Sequence, residues 1–321
     1  MYFLFIVLSA IIAANALTDR GNWELFKNQY GKKYLNSLEE SRRFVIFQQN
    51  LRRIESHNQS PSSFKMGITK FADLTEEEFL DTLTLSKYTK PERPQNIEYI
   101  KLDDEVPDEF DWRTKGAVTE VKNQLSCGSC WSFSTTGTLE SAYYIHTGNL
   151  VSFSEQNLVD CVKVGCNGCL GGWMDKAFDY IKINGIMTES DYPYEAVDQK
   201  CKFDPNKSLA RVYNYTYIIE GDEVELKKAV AQKGPTAVAI DVTSYFQLYE
   251  SGVLNDDICQ SDILYANHGV VVVGYGTTNG SDYWIVKNSW GADWGMDGYI
   301  LMSRNRENQC GIATDALYPY F

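Results

Sequence analysis

The sequence predicts an α+β protein in which helices come first and strands come last. Residues 38–58 carry apolar side chains at spacings of three and four, which indicates one amphipathic helix. Residues 130–147 also suit a helix, which would end at Gly148. Three later runs are rich in β-branched or aromatic residues, namely 236–242, 269–276 and 283–290. We therefore expect a helical lobe and a strand-rich lobe behind an N-terminal helical segment.

The first sixteen residues, 1–16, are typical of a signal peptide. They form an apolar run that is too short to span a bilayer, and they end in the small-x-small pattern Ala14-Asn15-Ala16. Since no other apolar stretch is long enough for a membrane span, we expect a soluble protein of the secretory pathway. Its destination would be a lysosome, a digestive lumen or the extracellular space. In such an oxidising compartment, the eight cysteines favour disulfides.

The N-terminal part reads as a removable segment. Its helix over 38–58 is predicted to begin at a capping box, Ser37-Leu38-Glu39-Glu40. Residues 86–107 contain three prolines and no apolar period, which predicts an extended connector. All eight cysteines lie beyond this connector, so no disulfide ties the two parts together. We predict a removable segment over 17–105 and a mature domain over 106–321. The apolar helix stripe and carboxylates such as Asp73 are expected to hold the segment against the mature domain.

The negative charge is concentrated in the predicted mature domain. The chain has a formal net charge of −13, and residues 1–105 carry 15 acidic and 14 basic side chains. Residues 106–321 carry 28 acidic and 16 basic side chains. A surface of this sign repels nucleic acids and anionic membranes, so we expect neither as a partner.

The stretch NQLSCGSCWSFS, residues 123–134, raises the question of what Cys127 and Cys130 do. A C-x-x-C pair serves as half of a zinc site, as a redox couple, or as neighbouring structural and catalytic cysteines. Cys130 would lie at a helix N-terminus, where free N–H groups and the helix dipole lower a thiol's pKa. The local sequence alone leaves nucleophile, zinc ligand and buried thiol open for Cys130.

A nucleophilic cysteine needs a base, usually a histidine, and the chain has three. His57 lies in the removable segment, and His146 lies about 24 Å from Cys130 along the same predicted helix. By elimination, His268 remains, at the start of a predicted strand. Asn288 closes another strand and could orient the imidazole, although an asparagine at a strand end is usually a turn former.

These motifs together resemble the papain family of cysteine proteases. The resemblance rests on Q-x-x-C-G-S-C-W-S-F-S, on His268-Gly269 and on Asn288-Ser289-Trp290. The removable segment is similar to the propeptide of cathepsin L-like members, and GITKFAD (67–73) matches a second propeptide motif with Thr69 where Asn is usual. The ERFNIN spacing is matched by Glu39, Arg43, Phe47, Asn50, Ile54 and Asn58. The matches cover nearly the entire chain.

The resemblance implies a papain-like fold, with a helical lobe and a β-barrel-like lobe on either side of a cleft. It implies that Cys130 is the nucleophile and that His268 is the proton carrier, paired as thiolate and imidazolium. Asn288 would orient His268 beneath two tryptophans. Gln124 would stabilise the oxyanion together with the backbone N–H of Cys130. No cofactor is implied.

The resemblance also implies a set of substrate-binding positions: Gly171, Gly172, Trp173, Met174, Ala266, Trp294 and Asp315. Asp315 is the fifth residue after Cys310, which is the family position at the floor of the S2 pocket. Cathepsin L is similar to papain in having a small uncharged residue there, whereas here it is an acid. We expect this pocket to accept Arg as well as Leu at P2. The alternative is a surface aspartate in a C-terminal turn.

Three disulfides are implied by the resemblance: Cys127–Cys169, Cys161–Cys201 and Cys259–Cys310. They leave Cys166 over, and Cys166 could compete with Cys169 for Cys127. The two C-x-x-C pairs formally spell a zinc pattern, but the 35 residues between them exceed the usual spacing and contain a full helix, so we predict no metal site. Leu125 stands where the family normally has Gly. If that Gly uses a backbone conformation closed to Leu, the loop must shift.

These expectations describe a latent zymogen of a secreted or lysosomal cysteine endopeptidase. Its partners would be protein or peptide substrates, its own propeptide and cystatin-like inhibitors, and it would be monomeric. The family's exopeptidases use a His-bearing loop or a Cys-anchored propeptide fragment, and neither can be built from this sequence. The alternative is a papain-fold binding or antigenic protein with little turnover. Four sequons permit glycosylation, at Asn58, Asn206, Asn214 and Asn279.

Overall fold

The computed structural model describes residues 18–83, 93, 97 and 99–321. The predicted signal peptide and most of the predicted connector lie outside the described residues. The helices are 18–29 (α1), Ser37–Gln59 (α2), Glu76–Leu83 (α3), Cys130–Thr147 (α4), Glu155–Cys161 (α5), Met174–Asn184 (α6), Glu223–Gln232 (α7) and Ser244–Gln247 (α8). Within these described ranges, no helix is both long and apolar enough to cross a membrane.

The strands follow mainly in the second half of the chain, as predicted. They are Phe64–Met66 (β1), Phe110–Asp111 (β2), Ile186–Met187 (β3), Ser208–Ala210 (β4), Asn214–Tyr217 (β5), Thr236–Ile240 (β6), Tyr249–Leu254 (β7), His268–Thr278 (β8), Ser281–Lys287 (β9), Tyr299–Ser303 (β10) and Asp315–Tyr320 (β11). The three strand-like runs of the sequence become β6, β8 and β9. The predicted α+β class is confirmed.

The strand-rich lobe is one large, mostly antiparallel sheet. In the described part of the chain its order is β1-β7-β10-β9-β8-β6-β11-β5, with β2 beside β8. Only the β7–β10 pair among these is parallel. Since β1 comes from the N-terminal segment, this segment adds a strand to the sheet of the following domain.

The helical lobe is built around α4, which is the helix predicted over 130–147. It begins at Cys130 and ends where Gly148 adopts a left-handed conformation, with φ 77°, that favours glycine. Its core consists of fully buried side chains, among them Trp131, Leu139, Phe153, Leu158 and Phe178. Because α4 also packs against β8, the two lobes meet at the start of both elements.

The long N-terminal helix α2 is confirmed, but the predicted capping box is wrong by one residue. The N-cap is Asn36, whose Oδ1 accepts a hydrogen bond of 2.9 Å from the backbone N–H of Glu39. The Glu39 carboxylate pairs with Arg43 at 2.7 Å instead of returning to a cap. Ser37 therefore lies inside the first turn, and the Glu40 N–H that a Ser37 cap would bind donates to the Asn36 carbonyl at 3.0 Å.

The ERFNIN residues hold the N-terminal segment together. Phe47 is fully buried against Trp23 and Phe26, with ring centroids 5.2 and 5.0 Å away. Buried Asn50 donates from Nδ2 to two carbonyl oxygens of the following loop, those of Ala72 and Leu74, each at 2.9 Å. The remaining motif residues also make contacts within the protein. Arg43 pairs with Glu39 and Glu78, and Ile54 packs on the apolar core. Asn58 forms hydrogen bonds with both the N–H and the carbonyl of Met66.

Three disulfides are present among the described residues. They join Cys127 to Cys169, Cys161 to Cys201, and Cys259 to Cys310, which are the pairings that the resemblance implies. Cys130 and Cys166 are free and buried. Cys166 therefore does not displace Cys169 as the partner of Cys127.

Candidate active site

The loop before α4 positions Cys130 at the interface of the two lobes. The Gly128 N–H donates to the carbonyl of Cys169 at 2.9 Å, next to the Cys127–Cys169 disulfide. A Cβ on residue 128 would lie 2.6 Å from that carbonyl oxygen, so only glycine fits. Two connections thus hold the chain immediately before Cys130, whose side chain is fully buried.

Gln124 is held by groups from both lobes. Its Oε1 accepts a 2.7 Å hydrogen bond from Ser289 Oγ, and its Nε2 donates to the carbonyl of Cys127 at 3.0 Å. Its backbone N–H bonds to the carbonyl of Ser289 at 2.8 Å. Tyr194 supports the same loop, because its hydroxyl donates to the Gln124 carbonyl at 2.9 Å and lies 2.6 Å from Ser129 Oγ. The amide of Gln124 therefore has one fixed orientation.

His268 and Asn288 come from neighbouring strands and form a buried pair. His268 Nε2 lies 2.8 Å from Asn288 Oδ1, and the imidazole stacks on Trp290 with ring centroids 4.8 Å apart. His268 Nδ1 has no hydrogen-bond partner among the described residues. A Cβ on the next residue, Gly269, would lie 3.3 Å from the carbonyl oxygen of Cys130. His268 and Cys130 thus lie on adjoining stretches of backbone, and Nδ1 is the ring nitrogen that Asn288 leaves available.

Burial keeps this pair neutral in the described state. It raises the pKa of the Cys130 thiol to about 12, although the N–H groups of Gly269, Trp131 and Cys130 lower it in part. Burial also lowers the pKa of His268 to about 4, against a smaller raising effect of Asn288. Burial thus favours the neutral forms of both groups in the described state, whereas the resemblance implies a thiolate–imidazolium pair.

Comparison with known proteins identifies the family. The family model described as "Papain family cysteine protease" matches residues 106–320. The chain belongs to this family. A second model, described as "Cathepsin propeptide inhibitor domain (I29)", matches residues 23–79. The protein is therefore a cathepsin L-like cysteine protease zymogen, with an inhibitory propeptide ahead of its peptidase domain.

Similar proteins share nearly the full length of this chain. A cathepsin L-like peptidase of Aedes aegypti is 46% identical, with 99% of each chain covered. Digestive cysteine proteinase 2 of Homarus americanus is 48% identical, with 93% of this chain and 94% of the relative covered. The solved structure of digestive procathepsin L2 from Tenebrio molitor larval midgut matches with a TM-score of 0.88 at 43% identity, over 94% of this chain and 100% of that one. The papain-like fold with an N-terminal propeptide is confirmed.

The propeptide covers the site through the tryptophan that shields His268. Phe71 and Phe79 meet Trp290 edge-on, with ring centroids 5.6 and 5.4 Å away. Thr69, which stands where Asn is usual, donates from Oγ1 to the carbonyl of Gln247 at 2.6 Å. Lys70 adds an ion pair of 2.8 Å to Asp293. Docking thus combines aromatic packing on Trp290 with polar contacts on either side.

Asp73 has a different role from the one expected of it. We expected this carboxylate to help hold the propeptide against the mature domain. It instead accepts hydrogen bonds from Lys32 Nζ at 2.8 Å and from the Tyr34 hydroxyl at 2.9 Å, and both partners lie within the propeptide. Asp73, which is buried, therefore stabilises the propeptide fold through these two contacts.

Leu125 adopts a backbone conformation that disfavours leucine. Its φ is 54°, in the left-handed region that favours glycine. The loop therefore keeps the conformation that suits glycine, and Leu125 carries the backbone strain. Its side chain is 56% exposed and lines a groove of about 320 Å³ between the propeptide and the mature domain. Tyr30, Phe71 and Trp290 line the same groove. Gln124 keeps its hydrogen bonds despite this neighbour.

The expected S2 residues lie around the core of the helical lobe. Met174 and Trp173 are buried there, and Ala266 packs against the same cluster. Asp315 begins β11 opposite Ala239, and Leu317, two residues on, belongs to that cluster. Alternate residues of a strand share one face, so the buried Asp315 side chain points toward the same cluster. A surface aspartate is excluded, since Asp315 is 1% exposed.

The backbone that would bind substrate is supported from behind by Cys166. The Trp173 N–H lies 3.4 Å from Cys166 Sγ, and this sulfur lies 3.6 Å from the Trp173 carbonyl. A Cβ on Gly172 would come within 2.7 Å of both Cys166 Sγ and the Trp131 ring. The neighbouring Gly171 has a φ of 121°, a backbone conformation that favours glycine. Cys166 is thus a packing residue behind the Gly171–Gly172 segment.

Trp294, expected among the substrate-binding positions, is fully buried. Its ring meets Trp290 edge-on with centroids 4.8 Å apart, and its Nε1 donates to the carbonyl of Phe246 at 3.1 Å. It therefore supports Trp290 from below. The two other histidines lie elsewhere: His57 packs against Phe64 in the propeptide with the rings tilted by 41°, and exposed His146 stacks on Phe321.

Sequence reasoning missed a buried charge cluster between the lobes, directly behind Asn288. Lys122 Nζ donates to Glu140 at 2.7 Å and to Glu155 at 2.6 Å. Lys287, one residue before Asn288, donates to Thr119 at 2.9 Å, and burial lowers its pKa to about 8. The sequence signal for this cluster was Lys287, a charged residue within the otherwise apolar run YWIVKNSW.

The four sequons differ in accessibility. Asn206 and Asn279 are exposed, the latter in the turn between β8 and β9. Asn58 uses both ends of its amide on the backbone of Met66, at 2.7 and 3.0 Å. Asn214 accepts a hydrogen bond from Lys182 at 3.0 Å. A glycan is therefore sterically easiest at Asn206 and Asn279.

Proposed function

We propose that this protease is a secreted or lysosomal endopeptidase in which Cys130 attacks the carbonyl carbon of a peptide bond. The observation that carries the proposal is the arrangement of three side chains at the lobe interface. His268 is held by Asn288 through Nε2, which leaves Nδ1 without a partner among the described residues, and the following residue, Gly269, lies against the backbone of Cys130 at the first turn of α4. This is the geometry of a nucleophile with an oriented base.

The proposed reaction begins with proton transfer from Cys130 Sγ to His268 Nδ1. The thiolate adds to the peptide carbonyl, and the oxyanion is stabilised by Gln124 Nε2 and the Cys130 N–H. His268 then gives its proton to the leaving amine, so that the C–N bond breaks and a thioester remains. Water, deprotonated by His268, hydrolyses the thioester and returns the thiol. Asn288 keeps the ring oriented through both proton transfers.

We propose endopeptidase action and a P2 preference that includes Arg as well as Leu. Met174, Trp173 and Ala266 supply apolar walls for Leu, and they disfavour large aromatic groups because Trp173 occupies part of the space. The Asp315 carboxylate supplies a partner for a cation. An open cleft suits cleavage of internal bonds, because the mature sequence lacks the residues from which the family's exopeptidases build their occluding segments.

We propose the domain limits 1–16 for a signal peptide, 17–105 for the propeptide and 106–321 for the mature enzyme. The secretory pathway is favoured by this leader and by the three disulfides. The "digestive" names of relatives from lobster and mealworm make a digestive lumen a reasonable destination beside the lysosome. We further propose a monomer that cystatin-like inhibitors recognise.

A covalent thiol probe separates this function from the alternative of a binding protein without turnover. The acid-processed protein is treated with a vinyl-sulfone peptide, and an end-blocked peptide is offered as substrate. We expect labelling at Cys130 and cleavage of internal bonds, with both lost in Cys130→Ser. Labelling that persists in Cys130→Ser would contradict the nucleophile, and release of only terminal residues or dipeptides would contradict endopeptidase action.

A further inference from the structure

Arg93, in the connector between the propeptide and the mature domain, reaches a site more than two hundred residues away. Its Nη2 donates to the backbone carbonyl of Thr314 and lies 3.4 Å from Asp315 Oδ1. Its guanidinium lies over the Tyr217 ring, 4.8 Å from the centroid, and Nη1 is 3.8 Å from Glu220. One cation therefore meets a carbonyl, a carboxylate and an aromatic face together.

The mature domain builds this site from two paired strands. Tyr217 ends β5 and Asp315 begins β11, and the strands pair with Tyr217 opposite Leu317. Tyr217 and Asp315 are 3% and 1% exposed in the zymogen, where Arg93 lies against both. The three groups match a guanidinium, which donates in a planar fork and stacks on rings, better than they match an ammonium group.

The charge around the site also favours a cation. Burial raises the pKa of Tyr217 strongly, and the carboxylates of Asp175 and Asp315 raise it further because both lie close to the phenol. Asp175 is paired with Lys176 at 3.1 Å, whereas Glu220 is 63% exposed and therefore only a weak partner. A buried carboxylate without a cation is costly, and Arg93 supplies that cation in the zymogen.

A second connector residue contacts the same lobe. Ile97 packs against the apolar cluster that contains Cys130, Met174 and Leu317. Residues 93 and 97 thus both lie against the mature surface beside the candidate S2 residues. Their contacts are separate from those that Phe71 and Phe79 make with Trp290.

We propose that Asp315, Tyr217 and the Thr314 carbonyl form a guanidinium-binding site of the mature domain, and that Arg93 occupies it in the zymogen as a substrate-like anchor. This inference rests on the proposed function, because it assigns the site to the cleft in which substrate binds. Removal of the propeptide empties the site, which then accepts the arginine of a substrate. The propeptide and an arginine-bearing substrate therefore compete for one carboxylate.

The experiment measures how fast iodoacetamide alkylates Cys130 in the full proenzyme near neutral pH, followed at that residue by mass spectrometry. Alkylation needs access to the thiol but no turnover. We expect Arg93→Ala to speed alkylation about tenfold or more, since a hydrogen bond between charged groups is lost. Asp315→Ala should act similarly, and the double variant should be no faster than either single variant, because both remove one contact. If the Asp315→Ala proenzyme does not fold, Asp315→Asn is measured in its place.

Two further variants make the comparison specific. Arg93→Lys keeps the charge but loses the planar fork, so its alkylation rate should fall between those of wild type and Arg93→Ala. Lys101→Ala removes an exposed cation of the same connector and should alkylate like wild type. The inference would be overturned if Cys130 of Arg93→Ala is alkylated as slowly as in wild type. It would also be overturned if the rate increases of the two single variants multiply in the double variant.

The same samples distinguish this failure from a failure of the proposed function. The processed wild-type enzyme is tested in parallel with the vinyl-sulfone probe. If the probe does not label Cys130 there, the proposed function is wrong, yet the alkylation rates still decide whether Arg93 anchors the propeptide. If the probe labels normally and Arg93→Ala changes nothing, only the anchor is wrong.

Discussion

Asp315 is the single residue on which the proposed specificity depends. Replacing it by Ala removes the only buried carboxylate that contacts Arg93 among the described residues. In the processed enzyme we expect the ratio of kcat/KM for Arg to that for Leu at P2 to fall about 10- to 150-fold, which corresponds to a charged hydrogen bond of about 1.5–3 kcal/mol. Dipeptide substrates Arg-Arg and Leu-Arg measure this ratio. Glu220→Ala, which removes an exposed neighbouring acid, is the matched control, and an Arg/Leu ratio unchanged in Asp315→Ala would refute the assignment.

Leu125 offers a second test at the residue scale. A non-glycine residue in the left-handed region costs about 1 kcal/mol, and the exposed Leu125 side chain gains little from burial. We therefore expect Leu125→Gly to leave the Tm of the inactive Cys130→Ser proenzyme unchanged or slightly raised. Leu170→Gly, at a similarly exposed leucine without positive φ, should lower the Tm. Equal losses in both variants would show that no strain is stored at Leu125.

At the scale of elements, α2 holds the loop that docks on Trp290. Asn50 connects this helix to the carbonyls of Ala72 and Leu74, and Gln247 of the mature domain donates to the same Leu74 carbonyl at 2.8 Å. Asn50→Ala removes this donor from the Ala72 carbonyl, whereas the Leu74 carbonyl keeps Gln247, and a buried acceptor without its donor costs about 1–3 kcal/mol. We expect the variant proenzyme to process itself faster at about pH 5, as followed by gel electrophoresis. Asn28→Ala, an exposed asparagine of α1, should process at the wild-type rate; equal rates for all three would contradict this role.

At the scale of the whole molecule, buried Glu155 and partly buried Glu189 predict how stability depends on pH. Burial and the neighbouring Glu155 raise the pKa of Glu189 to about 7, and burial raises the pKa of Glu155 as well. A raised carboxyl pKa means that the folded state binds more protons than the unfolded state between about pH 4.5 and 7. The free energy of unfolding therefore falls as pH rises through this range.

The variant Glu189→Gln tests this dependence, because its amide can still accept from the Tyr194 N–H but cannot titrate. In the Cys130→Ser background we expect the fall in Tm between about pH 5 and 7 to become smaller by a few degrees. Glu195→Gln, at an exposed glutamate nearby, should keep the wild-type slope. A steeper or unchanged slope in Glu189→Gln would show that this carboxyl does not bind the extra proton.

Acid release of the propeptide belongs to the same scale. The connector residue Asp104 pairs with Lys228 of the mature domain at 2.8 Å, which lowers the pKa of Asp104, so this pairing is present near neutrality and lost as pH falls. Because Asp104 is 94% exposed, the pair contributes little alone. We expect latency near neutral pH and self-processing at about pH 4 to 5, around ordinary carboxyl pKa values. A Cys130→Ser proenzyme that still processes itself would contradict self-cleavage.

The sequence by itself determined the order of helices and strands, the family, and which cysteine and histidine to consider together. These features follow from local periodicity and from short motifs, as in Cys130 at the start of α4 and His268 at the start of β8. Even there, the N-cap moved from Ser37 to Asn36, because both residues can cap a helix and only the backbone path selects one.

Tertiary structure alone decided the contacts between residues far apart in the chain. Three such contacts leave no periodic pattern in the sequence. They are the pair of Arg93 with Asp315, the cluster of Lys122 with Glu140 and Glu155, and the ion pair of Asp73 with Lys32. Such contacts depend on how the two lobes and the propeptide pack. Burial then sets which charges need a partner, because a charged group that loses water must gain a specific neighbour in its place.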